Sequence, residues 1–188
     1  MIRAVSRRSR RLKGWDYADE GGYFVTLVSV DRVCLFGDII DREMCLSEFG
    51  RIARDEWLRS EVIRPDIALD ESVVMPKYLH AILWIARKVD ASLDPVAAHS
   101  GALPRGPRPG LARPARSLGS IIAGFKSATT QRINELRGTP GVGVWQSNYY
   151  DRVIRNDYEL DRIPTYIARN PETWADDSIN PNRAASGT

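Results

Sequence analysis

A run of proline, glycine and arginine near the middle of the chain constrains the fold more than any other sequence feature. Residues 101–116 hold four Pro, three Gly and four Arg but no acidic residue, and neither a helix nor a sheet tolerates that composition. We therefore interpret residues 87–116 as a flexible linker. The segments on either side contain too few predicted strands to fold independently. The linker thus interrupts one domain and does not separate two.

Composition excludes several classes of protein. The chain has 188 residues, of which 43% are hydrophobic and 27% charged, a profile that excludes a wholly disordered or collagen-like chain. No apolar run approaches the roughly 20 residues of a membrane span, so no membrane partner is expected. The only cysteines, Cys34 and Cys45, are too few for a disulfide scaffold or a cysteine zinc site. With no apolar leader at the N-terminus, a cytoplasmic location is predicted.

Positive charge is concentrated in two segments. Residues 1–13 carry a formal charge of +6 and residues 101–116 a charge of +4, so the remainder carries −7 within the net +3. One such segment is equally well explained as a solubilising surface, but two on an acidic body favour a polyanionic partner, most often nucleic acid. We predict a basic tail over 1–16 and a disordered polar tail over 176–188. The basic tail supplies these candidate nucleic-acid contacts: Arg7, Arg8, Arg10, Arg11 and Lys13.

Hydrophobic periodicity predicts a single α+β domain over 17–175. Strands are predicted at 21–30, 33–37, 66–75 and 79–85, an extended aromatic segment at 144–154, and helices at 44–59, 117–137 and 157–170. Ser117 is a suitable N-cap for the second helix, and Asn156 or Asp157 for the third. The order of hairpin, helix, hairpin, helix, strand and helix predicts a mainly antiparallel sheet with helices packed on it.

Several segments, in order, carry a family resemblance. They are a strand containing Tyr23-Phe-Val-Thr26, then Met75-Pro-Lys-Tyr-Leu-His80, Gly124-Phe-Lys-Ser127, Trp145-Gln-Ser-Asn-Tyr-Tyr-Asp151, Ile154-Arg-Asn156 and Tyr166-Ile-Ala-Arg-Asn-Pro171. Together they resemble the IS200-like single-strand DNA transposases, and within them the REP-associated tyrosine transposases. The resemblance implies a ferredoxin-like or RRM-like fold and a homodimer that binds hairpins in single-stranded DNA. It also implies a Mg²⁺ or Mn²⁺ ion on a His-hydrophobic-His pair and a tyrosine nucleophile that forms a 5′-phosphotyrosine.

The resemblance places site residues on this chain and shows one departure from the family pattern. Tyr166 matches the nucleophile, and His80 and Asn170 match metal ligands, but Tyr78 stands in place of the first histidine and Lys77 in place of an asparagine. A neutral phenol is a poor ligand for Mg²⁺ or Mn²⁺. Either Lys77 itself contacts the phosphate, or Tyr78 is a strand residue in a decayed site. We expect weak divalent binding and cleavage that is slow or absent.

Pro164 is a second departure within the predicted third helix. A proline inside a helix costs about 3 kcal/mol, so it is expected either to shorten that helix or to shift Tyr166. Further candidate contacts to nucleic acid are the phosphate-binding cations Lys126, Arg132 and Arg155, the base-stacking rings Tyr149 and Tyr150, and Arg152, which stands where many relatives carry histidine. Two functions are predicted: single-strand DNA cleavage and rejoining, or non-catalytic binding of hairpin DNA or RNA by a protein derived from a transposase.

Overall fold

A computed structural model describes residues 15–86 and 117–177. The basic residues predicted at positions 7–13, the linker at 87–116 and residues 178–188 lie outside the described residues. In chain order the elements are β1 (Gly21–Val28), β2 (Gly37–Ile40), β3 (Glu43–Leu46), α1 (Glu48–Ile63), β4 (Ile67–Met75), β5 (Tyr78–Ile85), α2 (Leu118–Arg137), β6 (Tyr150–Ile154) and α3 (Asp157–Ala168), followed by a 3-10 turn, Pro171–Asp176.

A four-stranded antiparallel sheet in the order β4-β5-β1-β6 forms the centre of the domain. β5 lies between β4 and β1, and its residues are buried along almost the whole strand. This explains why residues 78–85 read as a continuous apolar run and not as an alternating one. β2 and β3 form a separate two-stranded ribbon. The observed single α+β domain with an antiparallel sheet confirms the predicted fold class.

The two faces of the sheet are covered differently. On one face, side chains of alternate strand residues such as Tyr23, Val25 and Leu83 pack with α1 and α2 in the main hydrophobic core. In that core the Trp57 ring lies edge-on to the Phe125 ring at 5.3 Å between centroids. On the other face, α3 covers a smaller apolar cluster built on Phe24, Ile82 and Ile167. Among the described residues, no helix is long and apolar enough to cross a membrane.

Helix starts follow the predicted capping residues. The Ser117 hydroxyl accepts a hydrogen bond from the Ser120 N–H, and the Asn156 side chain accepts one from the Glu159 N–H. Gly138, in the left-handed conformation with φ 64°, ends α2. α1 starts later than predicted, because Ser47 caps it and residues 43–46 belong to the ribbon. Leu136, in the last turn of α2, lies outside the buried stripe of that helix and is 52% exposed.

The predicted hairpin between β1 and the strand after it is wrong. β1 pairs with β5 and β6, whereas residues 33–36 form no strand and the next strand starts at Gly37. β1 is an inner strand whose two edges pair with β5 and β6, and both of these come from distant parts of the sequence. Local sequence signals do not reveal such pairings.

Candidate active site and nucleic-acid surface

His80 lies at the centre of the sheet face that α3 covers. It is on β5 opposite Thr26 of β1, and a hydrogen bond of 2.8 Å joins His80 Nδ1 to Thr26 Oγ1. His80 is only 6% exposed. Burial lowers its pKa to about 4, and the charge of Asp177 opposes this shift only in part. The imidazole is therefore neutral at pH 7. Its Nδ1 atom is bonded to Thr26, and its Nε2 atom faces α3.

Tyr166 reaches this histidine from α3. Its hydroxyl oxygen lies 3.4 Å from His80 Nε2, and its ring meets the Phe24 ring edge-on at 6.3 Å. Ile163 and Ile167, one turn of α3, anchor the helix in the small apolar cluster beneath. Tyr166 is nevertheless 50% exposed. The two residues that the sequence singled out as nucleophile and ligand thus meet at a half-open position.

Pro164 does not end the helix. α3 continues from Asp157 through Pro164 to Ala168, although the proline has no N–H to donate to the carbonyl of Leu160. Of the two predicted consequences, a helix cut short before Tyr166 is excluded. Tyr166 lies beside His80 with the proline present. Pro164 is thus compatible with the expected position of the nucleophile.

Tyr78 lies next to His80 and is fully buried. Residues two apart on a strand point to the same face, and the two rings are 4.5 Å apart between centroids. The Tyr78 hydroxyl is the donor to two acceptors that share its single proton, Asn170 Oδ1 at 2.7 Å and Asp177 Oδ2 at 2.5 Å. Burial raises the pKa of the phenol, and the hydrogen bond to Asp177 raises it further. Tyr78 therefore stays protonated at neutral pH.

Asn170 and Asp177 reach Tyr78 from the end of α3 and the turn that follows it. Asn170 is 3% exposed and directly precedes Pro171, which begins the 3-10 turn. That turn packs the Trp174 ring 6.1 Å from the Tyr78 ring and returns the chain to the sheet at Asp177. Asp177, assigned from the sequence to the polar tail, is thus part of the site.

The residues present do not fit a divalent ion. Within residues 15–86 and 117–177, no group of three or more His, Cys, Asp or Glu could hold a metal. Asn170 Oδ1 and Asp177 Oδ2, oxygen atoms of the kind that suits Mg²⁺ or Mn²⁺, accept from a phenol that keeps its proton. Of the expected ligands, Asn170 is bonded to the Tyr78 hydroxyl and His80 lies beside the Tyr78 ring, so Tyr78 contacts both.

Lys77 lies at the turn between β4 and β5 and is largely buried. Its carbonyl accepts a hydrogen bond of 2.8 Å from the Ser29 N–H. Burial raises the pKa of the Cys34 thiol, and the Lys77 charge acts against this shift. The positive charge of Lys77 therefore influences the pKa of Cys34, which lies in the segment after β1. A phosphate contact by Lys77 stays a prediction.

Two of the predicted phosphate contacts have partners within the fold. The Lys126 ammonium donates to the carbonyls of Gln146 at 2.7 Å and Asn148 at 3.1 Å, and lies over the half-buried Tyr149 ring. Arg132 donates to the buried Glu56 carboxylate at 2.7 Å, which joins α2 to α1. Because these cations satisfy groups of the protein itself, they are poorer candidates for phosphate than the sequence suggested.

The edge strand β6 brings other predicted contacts to the side of the site. Tyr150 pairs with Thr26 and Arg152 with Phe24, so both lie on the sheet face that carries His80. Tyr150 is 54% exposed. Arg152 forms an ion pair with Glu159 of α3, and Arg155 donates its backbone N–H to the same carboxylate. Tyr150, Arg152 and Tyr166 thus border one half-open surface.

Sequence reasoning missed three residues of the site. Thr26 and Phe24 were treated only as strand residues, although alternation along β1 places both on one face. Their role depends on the register between β1 and β5, which a single sequence does not display. Asp177 gave no signal, since it lies in a polar segment beyond the last predicted helix.

Comparison with known proteins gives a consistent result. No family model matches the chain. An uncharacterised protein of Haemophilus influenzae strain Rd is 33% identical over 174 residues, which is 92% of either chain. A solved REP-associated tyrosine transposase bound to a REP hairpin superposes with a TM-score of 0.51 at 16% identity, over 85% of this chain and 69% of that one. A transposase candidate from Deinococcus radiodurans gives a TM-score of 0.41 at 17% identity, over 84% and 95%.

The Haemophilus relative matches nearly end to end, and the transposase match shows the fold. In this chain that fold places His80 on a central strand of the four-stranded antiparallel sheet and Tyr166 on a helix across from it. The protein therefore belongs to one family with the Haemophilus influenzae protein, and its fold is similar to that of the REP-associated tyrosine transposase.

Proposed function

We propose that the protein binds hairpin or single-stranded DNA and that Tyr166 is its nucleophile for strand cleavage and rejoining. The observation that carries this proposal is the half-exposed Tyr166 hydroxyl, 3.4 Å from a buried neutral histidine. A helical tyrosine is ordinarily part of a core. Here the apolar anchors of α3 are its neighbours Ile163 and Ile167, and the tyrosine itself faces the opening.

The surface around Tyr166 supports a nucleic-acid ligand. The exposed Tyr150 ring offers a stacking platform for a base, and Arg152 lies next to it in register on β6. The two arginine-rich segments, 1–13 and 101–116, add sequence-independent attraction to phosphates. The related fold was solved with a REP hairpin bound. Together these features favour a hairpin whose single-stranded flank crosses the Tyr166 opening.

The reaction follows the chemistry of a phosphodiester. Tyr166 Oη forms a bond to phosphorus while the bond from phosphorus to the 3′ oxygen breaks, and the phenol proton ends on the released 3′ hydroxyl. The product is a 5′-phosphotyrosine, and attack by a 3′ hydroxyl reverses the step and rejoins the strand. Because the residues around His80 do not fit Mg²⁺ or Mn²⁺, we expect cleavage in the natural sequence to be slow or absent.

Binding without cleavage is the second candidate function. It is favoured by one specific observation: the oxygen atoms of Asn170 and Asp177 that could bind a metal accept instead from the Tyr78 hydroxyl. In that case the protein is a former transposase that retains hairpin DNA or RNA binding. Both candidates predict hairpin binding, and they differ in whether a covalent adduct with DNA forms.

The decisive experiment is an adduct assay on labelled single-stranded hairpin DNA with Mn²⁺. It compares the natural protein with the double variant Lys77→Asn/Tyr78→His, which restores the family pattern, and with Tyr166→Phe in that background. We expect little adduct from the natural protein, more from the double variant, and none after Tyr166→Phe. Tyr158→Phe, on the same helix and 65% exposed, is the matched control and should leave adduct formation unchanged.

The outcomes separate the candidates. Efficient adduct formation by the natural protein would disprove the decayed-site interpretation, and an adduct that survives Tyr166→Phe would assign the nucleophile elsewhere. Hairpin retention without any adduct, even in the double variant, would favour the binding module. No retention near 50 mM salt would refute both candidates.

Two further properties follow from the same proposal. We expect a cytoplasmic homodimer, which light scattering at tens of micromolar would detect as twice the mass of 21.1 kDa. Removal of residues 1–13 should weaken binding to many sequences alike and reduce its salt dependence, because this segment contacts phosphates and not bases. A monomer would argue against a site assembled between two chains.

A further inference from the structure

We infer that the Tyr78 hydroxyl and the Asp177 carboxylate form a hydrogen-bonded tie that takes the position of a divalent ion and holds α3 to the sheet without a metal. The hydroxyl oxygen lies 2.7 Å from Asn170 Oδ1 and 2.5 Å from Asp177 Oδ2. Two acceptor oxygens thus converge on one hydroxyl and share its proton, as ligands converge on a small cation. The atom here belongs to the chain itself.

The tyrosine side chain has the right length for this position. Tyr78 and His80 lie side by side on β5 and both face α3. An imidazole at position 78 would end well short of the phenol oxygen, which would leave room for an ion between the ring and Asn170. The larger phenol carries its own hydroxyl into that space. One substitution therefore both removes a metal ligand and fills the gap.

Burial makes the tie strong. Tyr78 has no exposed surface and Asn170 is 3% exposed, so an unpaired hydroxyl or amide oxygen at either residue would be costly. The apolar cluster beneath α3 is small. Hydrogen bonds to Tyr78 therefore add to the apolar contacts that attach α3 and the 3-10 turn to the sheet.

Asp177 connects the tie to the chain beyond the helix. Pro171 starts the turn, and Trp174 packs near the Tyr78 ring. Asp177 then closes a loop of chain from Asn170 back to the same hydroxyl. In a variant with histidine at position 78, the same geometry would place the Asp177 carboxylate beside a bound ion, as an anionic ligand in addition to His80 and Asn170.

Hydrogen exchange on the full-length chain tests the tie. We compare Tyr78→Phe and Asp177→Ala with the natural protein and with Tyr158→Phe, which removes a hydroxyl from α3 outside the tie. Exchange across residues 157–177 should accelerate roughly tenfold or more in both tie variants. It should stay unchanged in α2 and in Tyr158→Phe. EDTA should not alter exchange in the natural protein.

Unchanged exchange in both tie variants, or acceleration by EDTA in the natural protein, would overturn the inference. If Tyr78→Phe does not fold, Asp177→Ala and Tyr78→His still test it. Mn²⁺ titration by calorimetry should show no binding to the natural protein and measurable binding to Tyr78→His. Adding Asp177→Ala to Tyr78→His should weaken that binding roughly tenfold or more, because an anionic ligand is lost.

Equal Mn²⁺ affinity in the natural protein and in Tyr78→His would show that Tyr78 does not fill the ion position. Unchanged affinity on adding Asp177→Ala would remove Asp177 from the tie. Neither measurement involves DNA. Hairpin binding is measured in parallel on the same samples, so a protein with an intact tie that binds no hairpin would refute the proposed function alone.

Discussion

The two faces of the central sheet are stabilised in different ways. The face under α1 and α2 packs large apolar side chains such as Trp57 and Phe125 into an extended core. The face under α3 has a small apolar cluster and a set of polar side chains around His80 and Tyr78. We infer that the first face supplies most of the stability and that the second face can change its chemistry at a lower structural cost.

The largest expected effect is on the α1 and α2 face. Trp57→Ala removes a 1% exposed ring that contacts Phe125, which should lower the free energy of unfolding by about 3–5 kcal/mol. Urea denaturation followed by circular dichroism measures this loss. Because that core joins both helices to the sheet, the transition should shift as a whole. A shift confined to one helix would contradict the comparison.

A matched truncation on the other face should act locally. Ile167→Ala removes a fully buried side chain from the cluster under α3, at a cost of about 2–4 kcal/mol. We expect faster hydrogen exchange in α3 well below the urea midpoint, while α2 keeps its protection. Equal acceleration in both helices would show that the two faces unfold together and are not separable.

Acid should weaken the α3 face through His80. The His80 pKa is about 4 in the fold, against about 6.5 for a free histidine. Between these values the unfolded chain binds a proton that the folded chain does not. The stabilisation is therefore complete above pH 6.5 and is lost as the pH falls toward 4, by up to about 3 kcal/mol.

The matched variant for this prediction is His80→Asn, whose amide can still reach Thr26. Urea titrations of both proteins between pH 7 and pH 4.5 give the free energy of unfolding as a function of pH. The contributions of carboxylates that are the same in both proteins cancel when the two curves are subtracted. The natural protein should lose more stability than the variant over that range. Parallel pH profiles would show that His80 titrates normally in the fold.

The same contrast explains what a sequence can predict. The apolar stripe of α2, with Ile121, Ile122 and Phe125 buried, and the caps at Ser117 and Asn156 follow from local chemistry. The neighbours of β1 do not, because strand pairing joins residues more than 50 positions apart, as Thr26 and His80 are. The tie between Tyr78 and Asp177 spans 99 positions. Such contacts have no periodic signature.

The contacts of charged residues also depend on the tertiary fold. Arg132 and Arg152 look alike in the sequence, and both were predicted to contact nucleic acid. In the fold Arg132 pairs with the buried Glu56 carboxylate on the core side, while Arg152 pairs with Glu159 on the α3 side and lies on β6 beside the site. The two side chains carry the same charge, so charge alone does not distinguish them. They differ in which face of the sheet each side chain reaches.

The smallest expected effects separate those two arginines. Arg132→Met should lower the free energy of unfolding by only about 1 kcal/mol, because the guanidinium is 43% exposed and Arg59 still lies 3.7 Å from the same Glu56 oxygen. It should leave hairpin affinity unchanged. Arg152→Met should leave stability nearly unchanged and weaken hairpin binding several-fold, with a smaller salt dependence. Urea titration and fluorescence anisotropy on the same samples measure both quantities.

A control strengthens the assignment of Arg132. If its role is to compensate a buried carboxylate, replacing both partners in Glu56→Leu/Arg132→Met should recover most of the lost stability, since the one charge left without its partner, Arg59, is 64% exposed. Weaker hairpin binding by Arg132→Met would instead place the α1 and α2 face in contact with nucleic acid. In that case both faces would bind the ligand, and the division between a stabilising face and a chemical face would be wrong.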